Sequence, residues 1–185
     1  MSKRVCPWWL GYFLASPLRR LLEDPREILE PYVQEGMTVL EPGPGMGFFT
    51  QELARKVGRN GRVIAVDIQP RMLNGLQRRL EKAGLSERLD IRLASPDSLA
   101  VQDLAGKVDF ILAYAVVHEM PSSGTFFAQA AAVAKAGARL LLVEPKGHVK
   151  PVEFEAELRD AAQAGFALKQ RPDLRRGWSA LLQRA

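Results

Sequence analysis

Met37 to Thr50 is the most informative segment of the chain and reads Met37-Thr38-Val39-Leu40-Glu41-Pro42-Gly43-Pro44-Gly45-Met46-Gly47-Phe48-Phe49-Thr50. Its apolar start predicts a β-strand that ends at Glu41, its glycines predict a sharp turn, and its end predicts the first turn of a helix. Glycines at alternate positions permit positive φ and carry no Cβ atom, so the backbone can press against a ligand. The unpaired N–H groups at the start of the helix attract an anionic group.

A second predicted strand, Arg62–Asp67, follows and ends on an acid. Asp67 lies about 20 residues beyond the last glycine, the spacing at which a carboxylate accepts hydrogen bonds from ribose hydroxyls. The glycine turn and Asp67 together predict a site for an adenosine that carries an anionic arm. A tight turn without any ligand is the simpler structural alternative.

The spacing of the glycines separates two classes of nucleotide ligand. A dinucleotide fingerprint has the form G-x-G-x-x-G, whereas this loop has the form E-x-G-x-G-x-G. The acid at its front edge, Glu41, repels a pyrophosphate and suits a ligand that carries an ammonium group.

The loop resembles motif I of the class I S-adenosylmethionine-dependent methyltransferases, and Asp67 resembles the ribose-binding acid of their second strand. The resemblance implies S-adenosyl-L-methionine as cofactor, S-adenosyl-L-homocysteine as product and direct displacement of the methyl group. The residues that it assigns to cofactor binding are Glu41, Gly43, Pro44, Gly45, Gly47, Asp67, Ile68, Met72, Ser95, Pro96, Asp97, Ala113 and Tyr114.

Strand and helix patterns alternate along the chain, which predicts an α/β, doubly wound and mostly parallel sheet that binds ligands at the carboxyl ends of its strands. The remaining predicted strands are Leu89–Ala94, Val108–Tyr114 and Ala138–Glu144, with the short tail segments Phe166–Gln170 and Trp178–Gln183. The predicted helices are Phe49–Val57, Pro70–Ala83, Ser123–Ala134 and Val152–Ala164. The resemblance implies the seven-stranded, Rossmann-like methyltransferase fold with an antiparallel C-terminal strand.

The resemblance begins at Val33, so the chain divides into an N-terminal helical cap, 1–32, and a cofactor-binding domain, 33–185. Aromatic residues are concentrated in the cap, where Trp8, Trp9 and Tyr12 fall within a few positions of one another. Such a cluster could form a lid over a flat or apolar acceptor. It could equally cover the sheet edge or form an oligomer contact.

In the related enzymes an acid after the third strand contacts the adenine amino group, and here Ser95 stands at that position. Either Asp97 substitutes for the acid or a main-chain group serves. The alternative is a Ser-Pro-Asp turn that caps the next helix.

The segment 109–121 resembles motif IV of small methyltransferases related to the ubiquinone and menaquinone biosynthesis enzymes. The resemblance implies that Ala113 and Tyr114 border the methionine portion of the cofactor. It makes His118 and Tyr114 the catalytic candidates, with His118 orienting the acceptor or taking its proton. A purely structural histidine is the alternative. Glu144 and His148 are weaker candidates on the acceptor side.

Composition excludes several classes of function. The chain has 185 residues, a net charge of +5, one cysteine and no stretch of about 18 apolar residues, which predicts a cytoplasmic enzyme without membrane insertion or disulfides. The paired carboxylates and asparagine of a magnesium-dependent catechol-type site have no counterpart, so no bound metal is expected. The arginines are spread out without interleaved aromatic residues, so nucleic acid is a minor possibility. The fourth predicted strand is not followed by an N-P-P-Y or D-P-P-Y tetrad, which argues against methylation of a flipped base.

Three functions therefore stay open from the sequence. A methyltransferase acting on a small-molecule acceptor leads, an RNA or protein methyltransferase comes second, and a non-catalytic cofactor-binding relative is third. The chain is expected to be a monomer or a homodimer.

Overall fold

A seven-stranded sheet forms the centre of the computed structural model, which describes residues 23–174 and 177–185. The strands are β1 Thr38–Pro42, β2 Arg62–Asp67, β3 Leu89–Leu93, β4 Val108–Tyr114, β5 Ala134–Pro145, β6 Phe166–Gln170 and β7 Gly177–Arg184. Their order across the sheet is β3-β2-β1-β4-β5-β7-β6.

Five α-helices occur in the described ranges: α1 Pro25–Leu29, α2 Thr50–Lys56, α3 Pro70–Lys82, α4 Ser123–Val133 and α5 Pro151–Gln163. Asp24 caps α1 by accepting a hydrogen bond from the Arg26 N–H, and Pro25 occupies the first helical position. A short 3₁₀ turn, Val117–Glu119, follows β4. None of the described helices combines the length and the apolar character needed to cross a membrane.

The pairing of the strands confirms the predicted fold class. β1 pairs in parallel with both β2 and β4, and β4 pairs in parallel with β5. β7 runs antiparallel to both of its neighbours, β5 and β6. Because the chain leaves β1 toward β3 on one side and returns to β4 on the other, the strand order reverses between β1 and β4. In sheets of this kind ligands bind in the crevice at such a reversal.

Helices cover both faces of the sheet, so the central strands are apolar on both sides. On one face Leu40, Ile64 and Ile111 pack with Phe126 and Phe154 of α4 and α5. On the other face Val39, Val63 and Phe110 pack with Leu53 of α2 and Leu76 of α3. Both faces are closed, which leaves the ends of the strands as the place for a site.

The largest difference from the sequence prediction is the start of β5. This strand begins at Ala134, whereas the sequence predicted a strand from Ala138. Ala134 pairs with Val108 and Arg139 pairs with Phe110, so the residues between them bulge out of the ladder. Gly137 adopts a φ of +78° within this bulge. The glycine therefore bends a continuous strand and does not separate two elements.

Candidate functional site

A cavity of about 480 Å³ opens at the reversal of strand order, beside the carboxyl ends of β1, β2 and β4. Its walls contain most of the residues predicted to bind the cofactor: Glu41, Gly43, Pro44, Gly45, Asp67, Ile68, Met72, Ser95, Pro96, Asp97 and Tyr114. Gly47, Ala113 and His118 are not among the described residues that line it. The volume falls in the usual range for small-ligand sites, about 300–1,000 Å³.

The glycines of the loop after β1 have different structural roles. A Cβ atom on Gly43 would lie 2.5 Å from Val116 Cγ2, so this glycine lets the β1 loop contact the β4 loop. A Cβ atom on Gly47 would lie 2.6 Å from Leu76 Cδ1, so Gly47 serves the packing of the loop on α3. Gly45 has a φ of +54° and would meet nothing within 4 Å. Gly45 thus presents bare backbone to the cavity.

Glu41 is a carboxylate held almost entirely inside the protein. It is 3% exposed, it lines the cavity, and its Oε2 atom has no hydrogen-bond partner in the described structure. Burial raises the pKa of Glu41 to about 8. A buried polar atom without a partner is costly in a folded protein. Glu41 is therefore arranged to receive a hydrogen-bond donor from a ligand.

Asp67 ends β2 and lines the cavity. Its Oδ1 atom accepts a 2.8 Å hydrogen bond from the Gln69 N–H. Burial raises the pKa of Asp67 to about 6, and the negative charge of Glu119 adds to this effect, while the N–H groups of Gln69, Ile68 and Gly45 oppose it. The carboxylate is fixed by the backbone and faces the cavity, as ribose recognition requires.

The loop after β3 closes the cavity as a small turn. Ser95 and Ser98 exchange two backbone hydrogen bonds, of 3.0 and 3.2 Å, so the turn does not lead directly into a helix. The Gln129 side chain of α4 binds this turn on both sides, donating to the Asp97 carbonyl and accepting from the Leu99 N–H. The turn is thereby held against the cavity.

Tyr114 lies at the end of β4, with its ring against Phe49 at a centroid distance of 4.4 Å. Its hydroxyl donates a 2.8 Å hydrogen bond to Glu23 Oε1. Tyr114 therefore connects the cavity wall to the segment before α1. Its predicted catalytic role stays a prediction.

His118 lies behind the cavity and is bound to a buried acid. Its Nδ1 atom forms a short hydrogen bond with Oε2 of Glu144, which is 0% exposed. Burial lowers the pKa of His118, but the hydrogen bond and the charge of Glu144 outweigh burial, so the net shift is upward. The His148 ring lies 5.7 Å from the His118 ring, measured between centroids. Glu144 thus holds His118 in one orientation.

The electrostatic character of the cavity is acidic, although the chain as a whole is basic. Four acidic side chains line it, those of Glu41, Asp67, Asp97 and Glu119, while the described lining residues include no lysine, arginine or histidine. Acidic walls in a concave site attract cations and repel polyanions. Among the described residues, no group of three or more potential ligands is arranged to hold a metal ion.

Sequence reasoning missed Glu119 and Gln129. Glu119 stands next to His118 in the chain, yet Glu119 lines the cavity and His118 does not. The orientation of consecutive residues in a 3₁₀ turn depends on where the turn starts, and the sequence alone does not fix that start. Gln129 is an isolated polar residue in an apolar helix, which was a usable signal.

The predicted aromatic lid, Trp8, Trp9 and Tyr12, lies outside the described residues, as does most of the predicted cap 1–32. The described part of the cap is the segment that contains Glu23, α1 and the turn that leads to β1. The division of the chain at residue 33 therefore stays a prediction.

Comparison with known families gives a match over most of the chain. A family described as a methyltransferase domain matches residues 33–177. A solved S-adenosylmethionine-dependent methyltransferase from Aquifex aeolicus has a TM-score of 0.86 and 26% sequence identity, over 98% of this chain and 100% of that one. Fibrillarin from Aeropyrum pernix, solved with natively bound S-adenosyl-L-methionine, shares the fold with a TM-score of 0.66 and 19% identity, over 95% of this chain and 76% of that one.

Curated relatives differ in the acceptor that their names state. A ubiquinone biosynthesis O-methyltransferase from Methylocella silvestris is 33% identical over 96 residues, which are 52% of this chain and 35% of that protein. A protein-L-isoaspartate O-methyltransferase from Korarchaeum cryptofilum is 31% identical over 149 residues, which are 69% of this chain and 66% of that protein. The chain spans only about a third of the first relative's length and just under two thirds of the second's.

Proposed function

We propose that this chain, which belongs to the class I S-adenosylmethionine-dependent methyltransferase family, methylates a small-molecule acceptor. The acceptor would bind beside the cofactor in the acidic cavity. The observation that supports the proposal is the acidic composition of the cavity wall, which has four carboxyl groups and no basic side chain among the described lining residues.

The residues of the cavity fit S-adenosyl-L-methionine. The unpartnered Oε2 atom of buried Glu41 matches the ammonium group of the cofactor, and Asp67 matches its ribose hydroxyls. Gly45 leaves open space above the loop for the ligand. When bound, the cofactor supplies a methyl group that is already activated on a sulfonium centre.

The chain's own residues then have to align the acceptor, exclude water and accept a proton. Phe49 and Tyr114 provide an apolar wall, and Met120 lines the same cavity. Holding two reactants in line contributes about 7–11 kcal/mol in favourable cases, so modest acid–base help suffices. His118 and Tyr114 are the predicted sources of that help.

The acidic wall favours a neutral or cationic small molecule over RNA. A phosphate backbone entering the cavity would meet Asp67, Asp97 and Glu119. Relatives named for protein and tRNA substrates keep a macromolecular acceptor as the second candidate. If the acceptor were RNA, its affinity would fall steeply with added salt, whereas a small neutral acceptor predicts a flat response.

Calorimetry with S-adenosyl-L-methionine tests the cofactor site. We expect saturable binding to the wild type, and a loss of about 1–3 kcal/mol in Asp67→Asn because charge-assisted hydrogen bonds disappear. Asp173→Asn, a matched change at an exposed position, should leave the affinity unchanged. Absence of binding to the wild type would overturn the proposal.

A labelled-methyl assay tests the class of acceptor. The protein is incubated with methyl-labelled cofactor and a cell extract that has been separated into a protein-free low-mass fraction and a polymer fraction. We expect label in the low-mass fraction. Label found only in the polymer fraction would favour the second candidate.

A further inference from the structure

His118 and Glu119, two neighbouring residues after β4, differ in their contact with the cavity. Glu119 lines the cavity, whereas His118 is not among its described lining residues. The side chain of Glu119 is 23% exposed and that of His118 is 17% exposed. Of these two residues, Glu119 is therefore the one that an acceptor in the cavity would meet.

His118 lies between two carboxylates. Its Nδ1 atom is bound to Glu144 Oε2, and its Nε2 atom lies 4.0 Å from Glu119 Oε1. Glu144 Oε1 accepts a 2.8 Å hydrogen bond from the Val117 N–H, so the same buried acid also fixes the turn that carries both residues. These contacts form a continuous chain from the core to the cavity, Glu144–His118–Glu119.

The charged surroundings favour the imidazolium form of His118. Glu144 of β5, Glu119 of the turn and Glu157 of α5 all raise the pKa of His118, against the lowering effect of burial. His148, in the loop after β5, is the other titratable neighbour, in ring contact with His118. Three carboxylates thus act on one imidazole.

Glu119 also acts on the cofactor side of the cavity, since its charge contributes to the raised pKa of Asp67. Ionisation of one carboxylate makes ionisation of a nearby one less favourable, and a positive charge beside either of them reduces this effect. A protonated His118, 4.0 Å from Glu119, provides this charge.

We propose that Glu119 is the catalytic base that takes the acceptor's proton, and that His118 and Glu144 are positioning residues that act through it. This inference rests on the proposed function. In the transfer the acceptor atom forms a bond to the methyl carbon, the electron pair of the broken carbon–sulfur bond stays on sulfur, and the acceptor's proton moves to the Glu119 carboxylate. The neutral acid then releases this proton to solvent.

Histidine NMR tests the coupling without any acceptor, because the chain contains two histidines, His118 and His148. Glu119→Gln should lower the pKa of His118, and Glu144→Gln should lower it further. Glu87→Gln, a matched change at an exposed position, should not alter it. An unchanged pKa of His118 in Glu119→Gln would show that Glu119 and His118 are not coupled, and would contradict the inference.

Kinetics test the catalytic assignment, with methyl-labelled cofactor and the protein-free low-mass fraction of a cell extract as the acceptor pool. Glu119→Gln should lower the rate of label transfer about 100-fold or more, the usual contribution of a general base, while cofactor affinity stays within about threefold. His118→Gln should shift the acid limb of the pH–rate profile to higher pH and lose less activity. Glu119→Asp should restore part of the rate.

The outcomes separate this inference from the function on which it rests. A wild type that transfers no label to the low-mass pool overturns the proposed function itself. A wild type that is active, with a Glu119→Gln variant that keeps most of that activity, overturns only the role of Glu119. A variant that loses cofactor binding along with activity makes Glu119 a cofactor ligand and also overturns the inference.

Discussion

The ends of β1 and β5 each carry a buried glutamate, and the two differ in what they bind. Glu144 is 0% exposed, and both of its oxygens are engaged, by the Val117 N–H and by His118. Glu41 is 3% exposed, and its Oε2 atom has no partner in the described structure. Glu144 stabilises the turn after β4, whereas Glu41 can still accept a hydrogen bond from a ligand. Burial alone therefore does not distinguish a ligand-binding acid from a structural one. The distinguishing feature of Glu41 is a buried oxygen that lacks a hydrogen-bond partner.

The largest expected effect comes from removing the satisfied acid. Glu144→Ala leaves the Val117 N–H and the His118 ring without their buried partner, and breaking a buried charged pair in this way costs about 3–5 kcal/mol. Urea denaturation at pH 7 measures the loss in the free energy of unfolding. A loss below about 1 kcal/mol would show that Glu144 does not stabilise the turn.

Removing the unsatisfied acid should have the opposite sign. Burial raises the pKa of Glu41 to about 8 from an ordinary 4.5, so between these pH values the folded state keeps a proton that the unfolded state has released. The stability of the cofactor-free protein therefore falls as pH rises through this window. Glu41→Gln removes the penalty, and we expect a gain of about 2 kcal/mol at pH 9, less than the full pKa shift implies because the structure relaxes.

The same measurement at pH 4 is the control for this gain in the free energy of unfolding. At pH 4, where Glu41 is protonated in both states, Glu41→Gln should change the free energy of unfolding very little. An equal gain at both pH values would assign the effect to packing of the amide and not to charge.

Release of the Glu41 proton when the cofactor binds is a further expected difference between Glu41 and Glu144. At pH 7 the cofactor-free protein holds most of its Glu41 protonated, and an ammonium group favours the carboxylate. Binding of S-adenosyl-L-methionine should release about one proton near pH 7, and its affinity should rise with pH up to about 8. Calorimetry in buffers of different ionisation enthalpy measures this proton, which Glu41→Gln should abolish and Glu87→Gln should not.

The fold and the β1 side of the site were predictable because their signals are local. Glu41, the glycines and Asp67 lie on two successive strands, and the periodicity of those strands fixes which ends face the ligand. The β5 side depends on contacts between distant parts of the chain. His118 and Glu144 are separated by 26 residues, and only the parallel pairing of β4 with β5 brings them together.

Glu119 and the start of β5 show why the rest could not be predicted. Whether His118 or Glu119 faces the cavity depends on the register of a three-residue turn, which Glu144 sets through the Val117 N–H. Gly137 has the sequence signature of a turn, yet pairing with β4 on both sides of it keeps the strand continuous. In both cases tertiary contacts override a local preference.

Ala115, which lies between the two regions, gives the smallest expected effect. It has a φ of +55°, its N–H donates a 2.7 Å hydrogen bond to the Val143 carbonyl, and it lines the cavity. A left-handed alanine costs about 1 kcal/mol, and Ala115→Gly relieves that cost while adding about 0.5–1 kcal/mol of unfolded-state entropy. We therefore expect a net gain below about 0.5 kcal/mol by urea denaturation. Ala113→Gly, in the regular part of β4, should instead lose about 1 kcal/mol, and an equal loss at both positions would mean that the turn at Ala115 carries no strain.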